Sequence, residues 1–187
     1  NRNGENISND RVGDPRAGTL SSSQEVYGRG HMVRLTQLWI QHQFLEGKLD
    51  VKAGYFGEGE DFNTFPCDFQ NLAFCGSQVG NWATNIWYNW PVSQAALRVK
   101  YNITPELYAQ IGAYNQNPSQ LEHGNGFKLS GSGTKGTVIP VELVWSPKVN
   151  NLPGEYRVGY YKSAADAPDV REDVNGNDAV ITRADFR

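Results

Sequence analysis

Charged, amide and aromatic side chains recur at every second position along several short stretches of the sequence. Asp50 and Lys52 form one such pair, and Arg98 and Lys100 form another. Because alternate residues of a β-strand point to the same side, each stretch would present its polar groups on one face. The other members of this set are Gln37, Trp39, Gln41, Tyr108, Gln110, Glu142, Arg157 and Tyr161. Such a mixture can hydrogen-bond to hydroxyls and stack on flat ring faces, which suits a neutral, hydroxyl-rich solute better than an anion. For each residue the equal alternative is that it lines a water-filled channel without contacting the solute.

A longer segment, residues 57–91, carries a second group of polar side chains together with three of the five tryptophans. Its carboxylates and amides include Glu58, Glu60, Asp61, Asn63, Asp68, Gln70 and Asn71. A segment this aromatic is costly to leave in water, so we expect it to fold inwards and to bring its carboxylates towards the polar faces of the strands. The alternative is an external loop whose acids face solvent.

Two features could stabilise loops. Cys67 and Cys75 lie close together, and their number and spacing permit a small disulfide-closed loop in an oxidising compartment, with two free thiols as the alternative. Asp173, Asn175 and Asp178 place oxygen ligands at alternate positions, as calcium loops do. The bidentate glutamate of such a loop is absent at the right spacing, so a solvated surface loop is the simpler interpretation and we expect no cofactor.

Little in the sequence indicates an enzyme or a nucleic-acid-binding protein. The three histidines are scattered without a metal-binding spacing, and neither a nucleophile elbow nor a glycine-rich phosphate loop is present. Glu58 and Glu60 could imitate the paired carboxylates of a glycosidase, but β-rich sequences commonly contain such pairs. The net charge of −3 gives no reason to expect a nucleic-acid partner.

Six stretches of alternating polarity predict the strands that position these side chains. They cover residues 34–44, 49–56, 92–102, 106–115, 138–145 and 155–163. Short turns join them in pairs, which predicts three hairpins. Long polar loops are expected at 1–31, 57–91, 116–137 and 164–187. The alternation is weakest at 34–44, so the opposite parity, with Trp39 on the other face, remains open there.

The second face of the predicted strands is apolar but small and mixed, as at Leu97, Val99 and Ala109. The hydrophobic fraction is 39%, below the roughly 45–50% of a typical globular protein, although the chain has 5 Trp, 9 Tyr and 8 Phe. This composition, with short turns at one end and long loops at the other, predicts an all-β, antiparallel transmembrane barrel with a polar lumen. A soluble secreted β-sandwich that binds carbohydrate is the alternative.

Several long, irregular strings of the sequence match a known family. They are GEGEDFN at 57–63, FPCDFQNLAFCGSQ at 65–78, WYNWP at 87–91, DPRAGTLSSSQE at 14–25 and GFKLSGSG at 126–133. On these strings the chain resembles the carbohydrate-selective porins of the OprB family, and the resemblance runs over essentially its whole length.

The resemblance implies a 16-stranded porin barrel in the outer membrane of a Gram-negative bacterium, through which glucose and related sugars diffuse passively. It implies that residues 57–91 form the loop that narrows the pore, with the cysteine bridge at its tip. It further implies contact with outer-membrane lipid and assembly as a homotrimer. On this resemblance residues 1–187 form a single domain, the central part of the barrel, running from the end of the third strand to the loop after the ninth.

Overall fold

A computed structural model describes residues 32–64, 77–83 and 86–165. Its main element is a six-stranded antiparallel sheet whose strands pair in the order of the chain. These strands are β1 (Leu38–Phe44), β2 (Leu49–Phe56), β3 (Gln94–Thr104), β4 (Leu107–Gln116), β5 (Gly136–Trp145) and β8 (Tyr156–Ser163). The short strands β6 (Lys148–Val149) and β7 (Leu152–Pro153) form a separate ribbon between β5 and β8. The helical elements are α1 (Val79–Trp82) and the 3₁₀ turns Glu58–Glu60, Pro118–Leu121 and His123–Asn125. No helix among the described residues is long and apolar enough to cross a bilayer.

The two faces of the sheet differ in character, and the apolar face is the exposed one. Leu97 and Ile111 are 46% and 48% exposed, whereas Arg98 and Gln110, their neighbours in the chain, are 4% and 6% exposed. A soluble β-sandwich buries its apolar face and exposes its polar one, which is the reverse arrangement. The sheet therefore has the inside-out character of a transmembrane barrel wall, as the sequence pattern predicts.

Aromatic rings cluster on the exposed face next to the short turns. Trp145 at the end of β5 lies beside Tyr156 at the start of β8, with ring centroids 5.6 Å apart. Tyr101 near the end of β3 is exposed on the same side. Amphipathic rings at the ends of the strands are typical of the aromatic girdles that flank the apolar band of membrane barrels.

The first strand is shorter than predicted, because the chain before it leaves the sheet. We expected a strand from residue 34, but β1 begins at Leu38. The guanidinium of Arg34 instead donates a hydrogen bond to the carbonyl of Gln120 at 2.5 Å, and the amide of Leu35 donates to Gly126 at 2.8 Å. These partners in the connection between β4 and β5 draw residues 34–35 away from β2.

The turn between β5 and β8 contains the β6–β7 ribbon, which the sequence pattern did not predict. Asn150 and Asn151 both have positive φ, of 52° and 62°, and Val149 pairs with Leu152 on either side of them. Two consecutive left-handed residues form the type I′ turn that closes tight hairpins, and asparagine tolerates this conformation. The Asn-Asn pair was the signal for this hairpin.

An apolar core lies between the sheet and the described part of residues 57–91, which we call the inner segment. Phe62 and Trp87 of the inner segment pack with Phe56, Tyr114 and Val138 of the sheet. The ring of Tyr114 meets the rings of Phe56 and Phe62 edge-on, at centroid distances of 5.5 and 6.0 Å. This core holds the inner segment against the face of the sheet that carries the polar side chains.

Candidate functional site

Ion pairs join the inner segment to the wall formed by β2 and β3. Lys52 Nζ lies 3.0 Å from Asp61 Oδ2 and 3.8 Å from Glu60 Oε2. Arg98 Nε lies 3.9 Å from Asp61 Oδ1. The alternation of β2 and β3 places both cations on the polar face, and the 3₁₀ turn at Glu58–Glu60 brings the acids above them. The structure therefore places predicted residues of the wall and of the inner segment in direct contact.

A second, more deeply buried ion pair lies within the wall itself. Arg98 Nη2 lies 2.9 Å from Asp50 Oδ1, and both side chains are almost fully buried. Asp50 Oδ2 also accepts hydrogen bonds from the amides of Gln41 at 2.6 Å and Gln43 at 3.3 Å. Two amides and the guanidinium of Arg98 therefore surround the Asp50 carboxylate and fix its position.

Glu142 makes a further connection between the wall and the inner segment. Its carboxylate accepts hydrogen bonds from the backbone N–H of Asn63 at 2.9 Å and from the amide of Gln110 at 2.8 Å. Arg157 Nη1 approaches the same carboxylate at 3.2 Å. The Gln110 amide also donates to the backbone carbonyl of Asp61 at 2.6 Å. Side chains of β4 and β5 thus contact one short stretch of the inner segment, and Arg157 of β8 pairs with the Glu142 carboxylate that makes one of these contacts.

We call the cluster of Asp50, Lys52, Asp61, Arg98 and Glu142 the charged centre. More exposed aromatic and amide groups lie beside it, on the β1 side. Trp39 pairs with Gly54, and Gln41 pairs with Lys52, which settles the parity of β1 and puts Trp39 on the polar face. The indole is 42% exposed, and Lys52 Nζ lies 5.0 Å from the centroid of its ring. Gln37 accepts a hydrogen bond from Trp39 Nε1 at 3.4 Å. This edge offers an open ring face beside amides, which is the combination that a sugar ring requires.

A second aromatic border lies towards the short turns. Lys100 Nζ lies 4.9 Å from the centroid of the Tyr108 ring, and Arg157 Nη1 lies 3.3 Å from the Tyr108 hydroxyl. Tyr161, which we also predicted to line this face, packs instead against Trp87 at a centroid distance of 5.6 Å. Tyr161 therefore supports the inner segment.

Glu58 occupies a different position from the one we expected. The sequence suggested a carboxylate near the open space, but the structure buries Glu58 completely. Its Oε2 accepts a hydrogen bond from the backbone N–H of Tyr88 at 3.1 Å, and its Oε1 accepts one from the Gln94 amide at 2.6 Å. Burial away from water raises the pKa of Glu58 to about 8, although these hydrogen bonds act in the opposite direction. Sequence alternation identified the acid but could not reveal what covers it.

Glu60 remains at the boundary between the inner segment and the open space. Its side chain is mostly buried, and this burial raises its pKa. Hydrogen bonds from the backbone of Gly57 and the side chain of Gln37, together with the charge of Lys52, oppose that effect. Glu60 and the adjacent Asp61 present the two carboxylates of the inner segment that pair with Lys52 of the wall.

Some predicted residues lie outside the described part of the chain. They are Asp68, Gln70, Asn71, Cys67, Cys75, Asp173, Asn175 and Asp178. The disulfide therefore stays a prediction, and so does the solvated surface loop that we preferred to calcium binding at Asp173, Asn175 and Asp178. Within the described ranges no cluster of His, Cys, Asp and Glu has the geometry to hold a metal ion.

Sequence analysis missed three residues that the structure connects to the site. Gln43, like Gln41, donates a hydrogen bond to Asp50. It continues the alternation of β1, so the periodicity could have identified it. Gln94 contacts Glu58, and Asn117 donates its backbone N–H to Gln94 Oε1 at 3.4 Å. Gln94 begins β3 on the same face as Arg98, so parity was again the available signal. For Asn117 no local pattern gave one.

The chain belongs to the carbohydrate-selective porin, OprB family, whose sequence model matches residues 1–187. It is 69% identical over 188 residues to Porin B of Pseudomonas aeruginosa, covering 100% of this chain and 41% of Porin B. It is 45% identical over 175 residues to the putative porin QuiX of Acinetobacter baylyi, covering 90% of this chain and 40% of that protein. A solved structure described as the high-pH structure of Pseudomonas putida OprB aligns with a TM-score of 0.90 at 70% identity, over 98% of this chain and 44% of that one.

These relationships establish the class of the protein and the kind of membrane it occupies. The chain is part of a porin β-barrel, and the proteins of this family are channels of the Gram-negative outer membrane, not enzymes. The soluble β-sandwich and the glycosidase considered above are not supported. The chain spans about two fifths of the length of the curated relatives it matches.

Proposed function

We propose that the complete protein lets glucose and related sugars diffuse passively across the outer membrane, and that the inner segment narrows its channel. One observation carries the proposal: the inner segment lies against the polar face of the sheet, through Lys52–Asp61 and Asn63–Glu142, while the opposite face is apolar and exposed. A wall of this kind separates water from lipid. A segment that folds onto its polar, water-facing side reduces the open cross-section of the channel.

Selectivity would come from weak contacts at the open borders of the charged centre. Arg98 and Asp50 are already paired and buried, so a passing solute meets the exposed ring of Trp39 and the partly exposed Arg157 more readily. Stacking on an aromatic ring and hydrogen bonds to mixed charges favour a sugar, and weak binding lets it leave again. The apolar face would contact lipid, and the expected homotrimer would leave the polar face free for the solute.

The direct test is single-channel conductance of the full-length protein in planar bilayers, with glucose titrated into potassium chloride solution. Glucose should reduce the ion current in a concentration-dependent manner. Trp39→Ala should raise the glucose concentration that gives half of the block by about 2- to 10-fold, which corresponds to the loss of one aromatic contact.

Trp145→Ala is the matched control, because Trp145 is similarly exposed, at 50%, but lies on the apolar face. It should leave the glucose block unchanged. A wild-type current that glucose does not reduce would refute the proposed selectivity. An equal effect of both substitutions would show that Trp39 does not face the channel.

A further inference from the structure

Glu58 connects the start of the inner segment with a stretch of the chain that is 30 or more positions further on. Its own position is at the start of the inner segment, Tyr88 is near the end of that segment, and Gln94 is the first residue of β3. One buried carboxyl therefore bridges the entrance and the exit of the inner segment and joins both to the wall. No solvent-exposed surface of Glu58 remains, so it does not contact a passing solute.

Gln94 extends this connection to the next long loop. Gln94 Oε1 accepts a hydrogen bond from the backbone N–H of Asn117, which also fixes the orientation of the Gln94 amide towards Glu58. The side chain of Asn117 accepts from the backbone N–H of Ser119 at 3.2 Å and donates to the carbonyl of Ser132 at 3.0 Å. The connection between β4 and β5 is thus joined to the inner segment through Glu58 and Gln94.

We propose that Glu58 is a positioning residue, which holds both ends of the inner segment against β3 and thereby sets the width of the constriction without touching the sugar. The inference rests on the proposed function, since the width of the constriction matters only if solutes pass it. If the hydrogen bonds of Glu58 weaken, the inner segment is displaced from β3 in a fraction of the channels. The apparent affinity for the solute then falls in proportion to the fraction of channels that keep the segment in place.

The surroundings of Glu58 make its hold sensitive to protonation. Glu60, from the same 3₁₀ turn, adds an unfavourable like charge, and the phenol of Tyr114 on β4 is also within range of the Glu58 charge. Tyr88 and Gln94 contribute only neutral donors. A displaced segment would expose Glu58 to water, where its pKa is near the ordinary value. Since the buried site favours the neutral carboxyl, Glu58 holds the inner segment most firmly at low pH, and this contribution weakens as the pH rises from about 4.5 to about 8.

The test uses the full-length protein in planar bilayers and measures both the conductance in potassium chloride and the glucose block, over a pH range that includes 8. Glu58→Ala removes the bridging carboxyl, so the backbone N–H of Tyr88 and the amide of Gln94 lose this acceptor. The half-blocking glucose concentration should rise by at least about fivefold, with a larger and noisier ion current at every pH. Glu58→Gln is neutral at every pH and keeps one of the two acceptor oxygens, so it should keep part of the block and lose the part of the pH dependence below pH 8 that is due to Glu58.

Two controls separate positioning from general damage. Glu106→Ala makes the same change at an exposed acid in the β3–β4 turn and should have no effect. Gln94→Ala should weaken the block, and Glu58→Ala combined with Gln94→Ala should be no worse than the more severe single variant, because both remove one shared contact.

The outcomes are distinct. An unchanged block and conductance in Glu58→Ala would overturn the inference, as would additive effects of the two substitutions. If Glu58→Ala fails to insert into the bilayer, the comparison of pH profiles decides: a shallower profile in Glu58→Gln than in the wild type supports the inference, and identical profiles in the two proteins overturn it. A wild type that glucose does not block would refute the proposed function, while the potassium chloride conductance would still report on Glu58.

Discussion

Phe62 occupies the space that a side chain at Gly112 would fill. A Cβ atom added to Gly112 would lie 2.9 Å from Cε2 of Phe62 and 2.6 Å from Cε2 of Tyr114. Gly112 is on the polar face of β4, opposite Arg98 of β3. Because Gly112 has no side chain, the wall has a recess at this position, and Phe62 of the inner segment occupies it.

Substitution of Gly112 by alanine should displace the inner segment. The added methyl group would force Phe62 or Tyr114 to move, and overpacking of this kind typically costs about 1–3 kcal/mol. We expect a lower urea midpoint for the refolded full-length protein and a larger ion conductance. Gly159→Ala is the control, since the nearest atom to its added Cβ would be the Val141 carbonyl at an ordinary 3.4 Å. Equal behaviour of the two variants would contradict the assigned contact.

An arginine on the apolar face should destabilise the protein in lipid. Ile111 is 48% exposed in the middle of β4, where the wall would meet hydrocarbon. Ile111→Arg should cost about 2–4 kcal/mol near the bilayer midplane, measured by urea unfolding in lipid vesicles. Gln43→Arg adds the same side chain to the polar face and should cost much less. A small cost for Ile111→Arg would show that this face is not in contact with lipid.

Removal of one charge from the buried pair in the wall should be strongly destabilising. In Asp50→Asn, Arg98 loses its nearest counter-charge, at 2.9 Å, and an uncompensated buried charge typically costs about 3 kcal/mol or more. The double variant Asp50→Asn with Arg98→Met removes both charges and should recover part of that loss. The unfolding free energy in vesicles provides the measurement. A double variant less stable than Asp50→Asn alone would contradict this explanation.

The stability of the folded protein should decrease with pH because of Glu58. Its pKa rises from an ordinary 4.5 to about 8 on folding, so between these values the folded state binds more protons than the unfolded state. The unfolding free energy therefore falls as the pH rises through this range, by up to about 1.4 kcal/mol per pH unit. Glu58→Gln should give a shallower slope, with the part due to Glu60 remaining. Equal slopes for both proteins would show that Glu58 does not titrate in this range.

The alternation of side chains made the wall predictable. In β4 the contrast between Ile111 and Gln110 follows directly from the two-residue period of a strand, so the sequence alone assigns each to a face. The same rule was ambiguous at Trp39, because β1 carries polar residues on both faces, with His42 on the side opposite to Gln41. Its parity is decided by pairing with β2, which is a contact between distant residues.

Other features depended on contacts that no local pattern contains. Glu58 and Glu60 are two residues apart in the same acidic string, yet only Glu58 is enclosed, because Tyr88 and Gln94 cover it. Similarly, Arg34 falls within the strand predicted at 34–44 but lies outside the sheet and contacts Gln120. In both cases the deciding partners are 30 or more positions away in the sequence, beyond what periodicity can detect.

The pairing of strands in chain order has a consequence for how the barrel can be assembled and can diverge. Every long connection of the described sheet joins strands that are already neighbours, so a nascent wall can grow one hairpin at a time from an open edge, without threading one part of the chain through another. The inner segment between β2 and β3 can therefore be exchanged or redesigned as a module while the hydrogen-bonded frame around it keeps its register.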